Sequence, residues 1–308
     1  MQTLVTGVSG YVGAALAERL RRDGHAVRGF ARSRERVAAA GVELDELVLG
    51  DVTTGAGLER ALDGVDVAYY LIHSMEGAAA GAFADAERRS ADAFAAAAAR
   101  AGLRRVVYLG GLVPRDAPLS RHLGSRLAVE SALLGAVPEA IALRASIVIG
   151  ARSRSFRFLV RLIERLPVMA LPAWRENRTA PIDGRDMLEY LARAATAPSE
   201  LAGRSWDIGG PDVMTYAAMI VRISDALMVR RPALGLGLSL TPVASVVAAA
   251  IAGEDPALIE PLMESLEHDL LPRDGDSAGA FGVRLHKFDA AVERALREWE
   301  HTEELAAR

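Results

Sequence analysis

Thr6-Gly7-Val8-Ser9-Gly10-Tyr11-Val12-Gly13 is the stretch of this 308-residue chain whose residue types and spacing bear most directly on chemistry. Glycines at 7, 10 and 13 follow an apolar strand start (Leu4, Val5). They open a segment with apolar residues at helical spacing (Val12, Ala15, Leu16, Leu20). In a strand–turn–helix of this kind the first glycine permits the tight turn and the second lets a pyrophosphate approach the backbone. The third lets the helix pack closely on the strand. Free N–H groups and the positive dipole end of the helix then hold the phosphates. The context predicts a dinucleotide site at Gly7, Val8, Ser9, Gly10, Tyr11, Val12 and Gly13, the alternative being a plain structural turn.

Such a turn needs a scaffold, and the first half of the chain supplies one. Strand-like runs (3–6, 26–31, 47–49, 65–72, 105–109, 140–149) alternate with helical ones (11–22, 34–40, 58–62, 79–101, 125–134). The run at 65–72 is apolar throughout, as in a strand buried on both faces. Alternation of this kind predicts an α/β fold with a doubly wound parallel sheet and right-handed crossovers. After Gly150 the rhythm changes, and a smaller, mostly helical part is expected over 151–177 and 213–308, with 178–212 returning to the sheet. Asp183 and Thr215 stand where helix N-caps belong.

In such a sheet the ligand lies over the carboxyl ends of the strands. After strand two, a site for NAD(H) would place an acid about 20 residues beyond the glycines, to accept the ribose 2′-hydroxyl. The residues there are Arg32-Ser33-Arg34. Guanidiniums bind a 2′-phosphate through planar, charge-assisted hydrogen bonds, so NADP(H) is expected over NAD(H); solvated helix-start charges are the alternative. After strand three, Asp51 and Val52 are placed to meet the adenine, and Asp51 equally suits an N-cap for the next helix. After strand four, Leu71, Ile72 and His73 would line the ribose and phosphates, with His73 a candidate for proton chemistry or a hydrogen-bonded structural residue.

Composition bounds the remaining chemistry. There is no cysteine, which excludes disulfides, thiol nucleophiles and cysteine-ligated metal, and no metal site is expected. The net charge of −4 argues against a nucleic-acid partner. Arginine carries nearly all the positive charge and Lys287 is the one lysine, so a Walker A loop is absent. Met1 leads straight into a strand without a secretory pattern, which predicts a cytoplasmic location. Residues 232–253 are markedly apolar but interrupted by Gly235, Gly237 and Pro242. They predict buried or pocket-lining helices, a membrane contact being the alternative.

Together these residues resemble the short-chain dehydrogenase/reductase superfamily, in its extended and atypical branches. The resemblance rests on the glycine turn, on Gly50-Asp51-Val52, on 143–150 and on Asp207-Ile208-Gly209-Gly210 followed by Thr215. More narrowly, 68–75 and 107–112 look like a bacterial atypical subgroup of NAD(P)-binding proteins. That subgroup is similar to the NmrA-like nitrogen-regulator sensors and to the nucleotide-binding accessory subunit of respiratory complex I. The resemblance implies a Rossmann-type sheet, and a typical member carries catalytic Ser, Tyr and Lys. Here the end of strand five is Gly110-Gly111, and the Tyr-x-x-x-Lys position aligns with His122-Leu123-Gly124-Ser125-Arg126. Arg126 could hold the nicotinamide ribose but cannot relay a proton. His122 is a candidate acid in place of Tyr. The alternative is that both pack along one helix face.

Two functions remain. One is an NADP(H)-dependent oxidoreductase whose apolar carbonyl or quinone substrate lies against Met169, Trp174 and the 232–253 segment. The other is a non-catalytic NAD(P)-binding redox sensor or structural subunit. Nothing in the sequence fixes the oligomeric state.

Overall fold

The computed structural model describes residues 1–72, 82–115, 119–235, 263, 265–273, 275–303 and 305. Seven parallel strands form the central sheet. They are β1 (Gln2–Thr6), β2 (Ala26–Ala31), β3 (Glu46–Leu49), β4 (Val67–Tyr70), β5 (Arg105–Gly111), β6 (Ile141–Ala145) and, far along the chain, Arg204–Ile208. From one edge the order is Arg204–Ile208, β6, β5, β4, β1, β2, β3. The direction of travel reverses between β1 and β4, and there the carboxyl ends leave a crevice for a ligand.

Helices α1 (Tyr11–Arg22), α2 (Arg34–Ala39), α3 (Leu58–Leu62), α4 (Ala82–Arg100) and α5 (Arg121–Leu134) make the crossovers. Ser120 caps α5 by accepting from the Leu123 N–H at 3.2 Å, so the helix begins at Arg121 and not at Ser125 as the pattern suggested. One face of the sheet packs Val5, Leu16, Leu20, Val107 and Leu143. The other packs Leu4, Phe30, Tyr70, Phe94 and Tyr108. Strands covered on both sides explain the unbroken apolar runs in the sequence.

The expected strand over 140–149 is two strands. β6 stops at Ala145, and β7 (Val148–Ile149) leaves the sheet to pair with β10 (Ile182–Asp183). The break is fixed at Ser146, whose N–H donates to Ile208 O at 3.1 Å and whose hydroxyl lies 3.0 Å from that of Thr179. The run, apolar but for Arg144 and Ser146, carries no period that marks such a departure.

Beyond it come α6 (Arg154–Arg165), β8 (Met169–Leu171), β9 (Arg178–Thr179), α7 (Gly184–Ala194), β11 (Arg204–Ile208), β12 (Met214–Thr215), α8 (Tyr216–Ala226), β13 (Ala233–Gly235), α9 (Ser277–Phe281) and α10 (Phe288–Glu300). Asp183 caps α7 through the Arg185 N–H at 2.8 Å, and Thr215 caps α8 through that of Ala218 at 3.1 Å. α6, α8 and α10 bury a second core around Phe156, Met219, Leu296 and Trp299. Met169 and Trp174, expected along a substrate pocket, are instead members of this core, Trp174 packing edge-on against Tyr216. Among the described residues no helix is long and apolar enough to cross a membrane. The 232–253 segment lies outside the described residues from 236 onward.

Candidate nucleotide-binding site

The crevice is built around the first turn. Thr6, the last residue of β1, is fully buried. Its hydroxyl donates to Tyr69 O at 2.9 Å and accepts from the Leu71 N–H at 3.1 Å, which locks the exit of β4 beside the turn. Gly7 then takes φ +67°, and a Cβ there would stand 2.7 Å from Leu71 O. Only glycine adopts that backbone beside that carbonyl without strain. Gly10 is the N-cap of α1. It makes no side-chain cap, and its N–H turns back to Gly7 O at 2.9 Å. The first N–H groups of α1 are therefore left for an external acceptor, the arrangement that suits a pyrophosphate. Gly13 is buried against Gly7 and Val8, holding α1 tight on β1. Val8 is fully buried and anchors the turn in the core, while Ser9 and Val12 lie half-buried along it. These residues fit a dinucleotide: an uncapped helix start on a turn of three glycines.

Tyr11 points the other way. Its phenol occupies the space where side chains on Gly150 and Gly184 would be, and so ties the turn to the second half of the chain. Burial, with a further push from Glu298, raises it to about 12, which keeps it neutral.

At the end of β2, Arg32 and Arg34 are exposed, and Arg32 has no hydrogen-bonding or ionic partner among the described residues. Ser33 caps α2, accepting from the Arg36 N–H at 3.2 Å and donating to Glu35 at 2.7 Å. At the end of β3, Asp51 accepts from the Thr53 N–H at 2.8 Å through one carboxylate oxygen. It therefore closes a turn, and Gly57, not Asp51, stands at the start of the next helix. Val52 packs in the core beside Phe30 and Leu58. At the end of β4, Leu71 is buried and Ile72 half-buried. His73 lies outside the described residues.

The end of β5 carries the remaining candidates. Arg126 is buried. Its Nη2 donates to Leu109 O at 2.7 Å, its Nη1 lies 3.7 Å from a Glu87 carboxylate oxygen, and its guanidinium sits 5.3 Å from the centre of the Tyr108 ring. Ser125 donates to the other Glu87 oxygen at 2.6 Å. Glu87, on α4, was not visible as a partner in the sequence, since nothing in its spacing links it to α5. Arg126 thus has partners inside the protein where a ribose contact was expected. Tyr108 donates to Arg126 O at 3.2 Å, and burial outweighs the neighbouring guanidinium and raises it to about 12. Tyr69 and Tyr70 are pushed up further by burial.

Burial, and then the charge of Arg126 one turn on, push His122 down from 6.5 to about 4. It holds no imidazolium proton at neutral pH. A base whose folded value lies below its unfolded one contributes stability above pH 6.5, lost as the pH falls toward 4. From the size of the shift that loss is about 3 kcal/mol. Unfolding free energies measured in urea between pH 7 and 4 are expected to fall more steeply for the native chain than for His122→Gln. Parallel profiles would show that the imidazole is solvated.

A cavity of about 470 Å³ opens three residues beyond β5, lined by Pro114, Arg115, Arg178, His268, Asp269, Leu271, Pro272 and Arg273. None of these was singled out by sequence, because they lie in three separated segments.

Comparison with known proteins agrees with this geometry. Residues 7–133 match the NAD(P)H-binding family. The chain is 29% identical over 195 residues to a protein named ceramide reductase from Caulobacter vibrioides, covering 63% of this chain and 61% of that one. It is 26% identical over 134 residues to NADH dehydrogenase [ubiquinone] 1 alpha subcomplex subunit 9, mitochondrial, of Arabidopsis thaliana, covering 43% of this chain and 33% of that one. The chain therefore spans about three fifths and one third of the length of these relatives. Among solved structures, a short-chain dehydrogenase/reductase superfamily protein from Agrobacterium tumefaciens with bound NAD superposes with a TM-score of 0.70. It is 20% identical, with 97% of this chain and 98% of that one covered.

Proposed function

We propose that this NAD(P)-binding protein of the short-chain dehydrogenase/reductase superfamily is an NADP(H)-dependent reductase acting on a carbonyl or quinone group. The observation that carries the reading is the end of β2, where Arg32 is exposed without an internal partner and no carboxylate follows the strand until Glu35, which Ser33 engages. A free guanidinium there suits a 2′-phosphate, and an acid would suit a 2′-hydroxyl. The name of the Caulobacter relative supports reduction of a lipid-like carbonyl compound.

In this reading the turn Gly7–Gly13 and the start of α1 bind the pyrophosphate. Arg32, Ser33 and Arg34 surround the 2′-phosphate. Asp51 and Val52 border the adenine, and Leu71 and Ile72 the ribose and phosphates. The bound cofactor supplies hydride. The chain itself supplies no Ser-Tyr-Lys set at the aligned positions, so the proton that completes reduction comes from water. A quinone tolerates this best, because its reduced oxygen is readily protonated.

The second reading, a non-catalytic nucleotide-binding subunit or sensor, is favoured by one observation. No tyrosine of the crevice is acidified, His122 is neutral and Arg126 is held by Glu87 and Leu109 O. The complex I subunit relative supports it as well.

Titration of the purified chain with NADPH and NADH, followed by cofactor fluorescence, tests the first reading. NADPH is expected to bind more tightly, and Arg32→Ala to weaken it by ~1.5–3 kcal/mol, the range for a hydrogen bond to a charged group, while leaving NADH unchanged. Equal loss for both cofactors would remove the 2′-phosphate assignment. Oxidation of bound NADPH by a long-chain quinone or ketone then separates enzyme from sensor.

A further inference from the structure

We infer that the cavity beyond β5 binds an anionic group, a phosphate or a carboxylate, carried on an apolar stem, so that the substrate of the proposed reductase is an acidic amphiphile and not a neutral apolar molecule. The inference rests on the reductase reading for the word substrate, but the binding site stands on its own residues. Three guanidiniums, from Arg115, Arg178 and Arg273, line one cavity together with His268. Two of them are paired with carboxylates, one of which, Asp269, itself lines the cavity. Asp269 takes Nε and Nη2 of Arg178 at 2.9 and 2.7 Å and accepts the Arg178 N–H at 2.6 Å. Asp207, fully buried, takes Nε, Nη2 and the N–H of Arg273 at 2.7, 3.2 and 3.0 Å. In each case one edge of the planar fork is occupied, and Nη1 has no partner among the described residues. A guanidinium fixed this way loses little freedom when a second anion arrives.

The charges leave a vacancy of one. Asp207 is shared with Arg144 at 3.6 Å, and Arg144 is itself paired with Glu130 at 2.5 Å. Among the described residues Arg144, Arg178 and Arg273 are thus matched by Glu130, Asp207 and Asp269, and Arg115 is left over. Arg115 is exposed with no ionic partner among the described residues. The site accordingly suits one anionic group.

Its walls are built and not merely juxtaposed. The Leu270 N–H donates to Arg178 O at 2.9 Å, and Leu270 bridges Thr179 in parallel, so the 268–273 segment is fixed to β9. Pro114, Leu271 and Pro272 supply an apolar wall for the stem. A volume of about 470 Å³ admits a head group and a short length of chain. Pro114 and Arg115 follow the carboxyl end of β5, so an anion held here would place the rest of its molecule along the ligand edge of the sheet.

The test is calorimetric titration of the full chain, with and without NADPH, using decyl phosphate, decan-1-ol and inorganic phosphate as probes. Decyl phosphate is expected to bind at least about tenfold more tightly than either of the others, the scale of one charge-assisted hydrogen bond. Arg178→Gln and Arg115→Gln are each expected to weaken decyl phosphate by about tenfold and to leave NADPH affinity unchanged. Arg115 has no bonds to lose among the described residues, so its variant keeps the test valid if the other fails to fold. Equal binding of the alcohol, or variants without effect, would overturn the anion site. Inorganic phosphate binding as tightly as decyl phosphate would overturn the amphiphile. If decyl phosphate binds but NADPH does not, the reductase reading fails while the cavity assignment stands.

Discussion

Gly13→Ala is expected to abolish nucleotide binding. The added Cβ would land on the carbonyl oxygen of Gly7, and it would also stand 2.9 Å from Gly7 C and from Val8 Cα. All three are backbone atoms, so no side-chain rotation relieves the contact. Either α1 moves off β1, or the turn opens. α1 is held by Leu16, Ala17 and Leu20, all fully buried, so displacing it disturbs the core on that face. Overpacking of this kind costs typically 1–3 kcal/mol, and it moves the N–H groups that would meet the pyrophosphate. Gly10→Ala separates the two effects, because its Cβ would meet only Gly7 O, at 3.2 Å. That variant should keep its melting temperature within a few degrees and still bind NADPH poorly. Cofactor fluorescence and a thermal melt on both variants decide the matter. Gly13→Ala binding NADPH within a few-fold of the native chain would mean that α1 does not hold the phosphates.

The second large effect is expected at Arg144, on β6. Its guanidinium is bidentate to Glu130 on α5, through Nε at 2.9 Å and Nη2 at 2.5 Å, and its Nη1 faces Asp207 on β11 at 3.6 Å. Glu130 and Asp207 are both buried, and Ser205 donates to Glu130 at 2.6 Å. Among the described residues, Arg144→Leu would leave Glu130 with only the Ser205 hydroxyl as compensation. Removing one partner of a buried ion pair costs about 3–5 kcal/mol, because the other charge is stranded away from water. In a chain of this size that corresponds to a fall of about 10 °C in melting temperature. Arg144→Lys keeps the charge but loses the fork, and should fall between the two. A Leu variant that melts with the native chain would mean that water reaches Glu130.

Much of this molecule was legible in sequence. Three glycines between an apolar strand and a periodic helix located the turn, and alternation located the parallel sheet; both signals are local and repeat along the chain. Tertiary partners were not legible. Arg126 could be placed beside the crevice by its position after β5, but its engagement with Glu87 depends on α4 lying against α5, which no spacing within either helix announces. Met169 and Trp174 were apolar enough to line a pocket or to fill a core, and burial alone distinguishes the two. His122 was a plausible acid by residue type. Its surroundings, burial and the charge of Arg126, push it down to about 4, and a sequence does not state them. The cavity arginines escaped notice for a simpler reason: Arg115, Arg178 and Arg273 are drawn from distant segments, in a chain where arginine is the ordinary cation.

The edge of the sheet also bears on how the chain is made. β6 lies between β5 and β11, and β11 begins only at Arg204. During synthesis, one row of β6 backbone donors and acceptors waits for the roughly 60 residues that separate it from its partner, about 3–12 s at ordinary elongation rates of 5–20 residues per second. For that interval Ile141-Ala142-Leu143 is an apolar strand with an open edge, a template for pairing with a neighbouring chain. A message that pauses once β6 has emerged from the ribosome, but before β11 has, should therefore yield more aggregate than one that pauses after β11 has emerged, from the same protein.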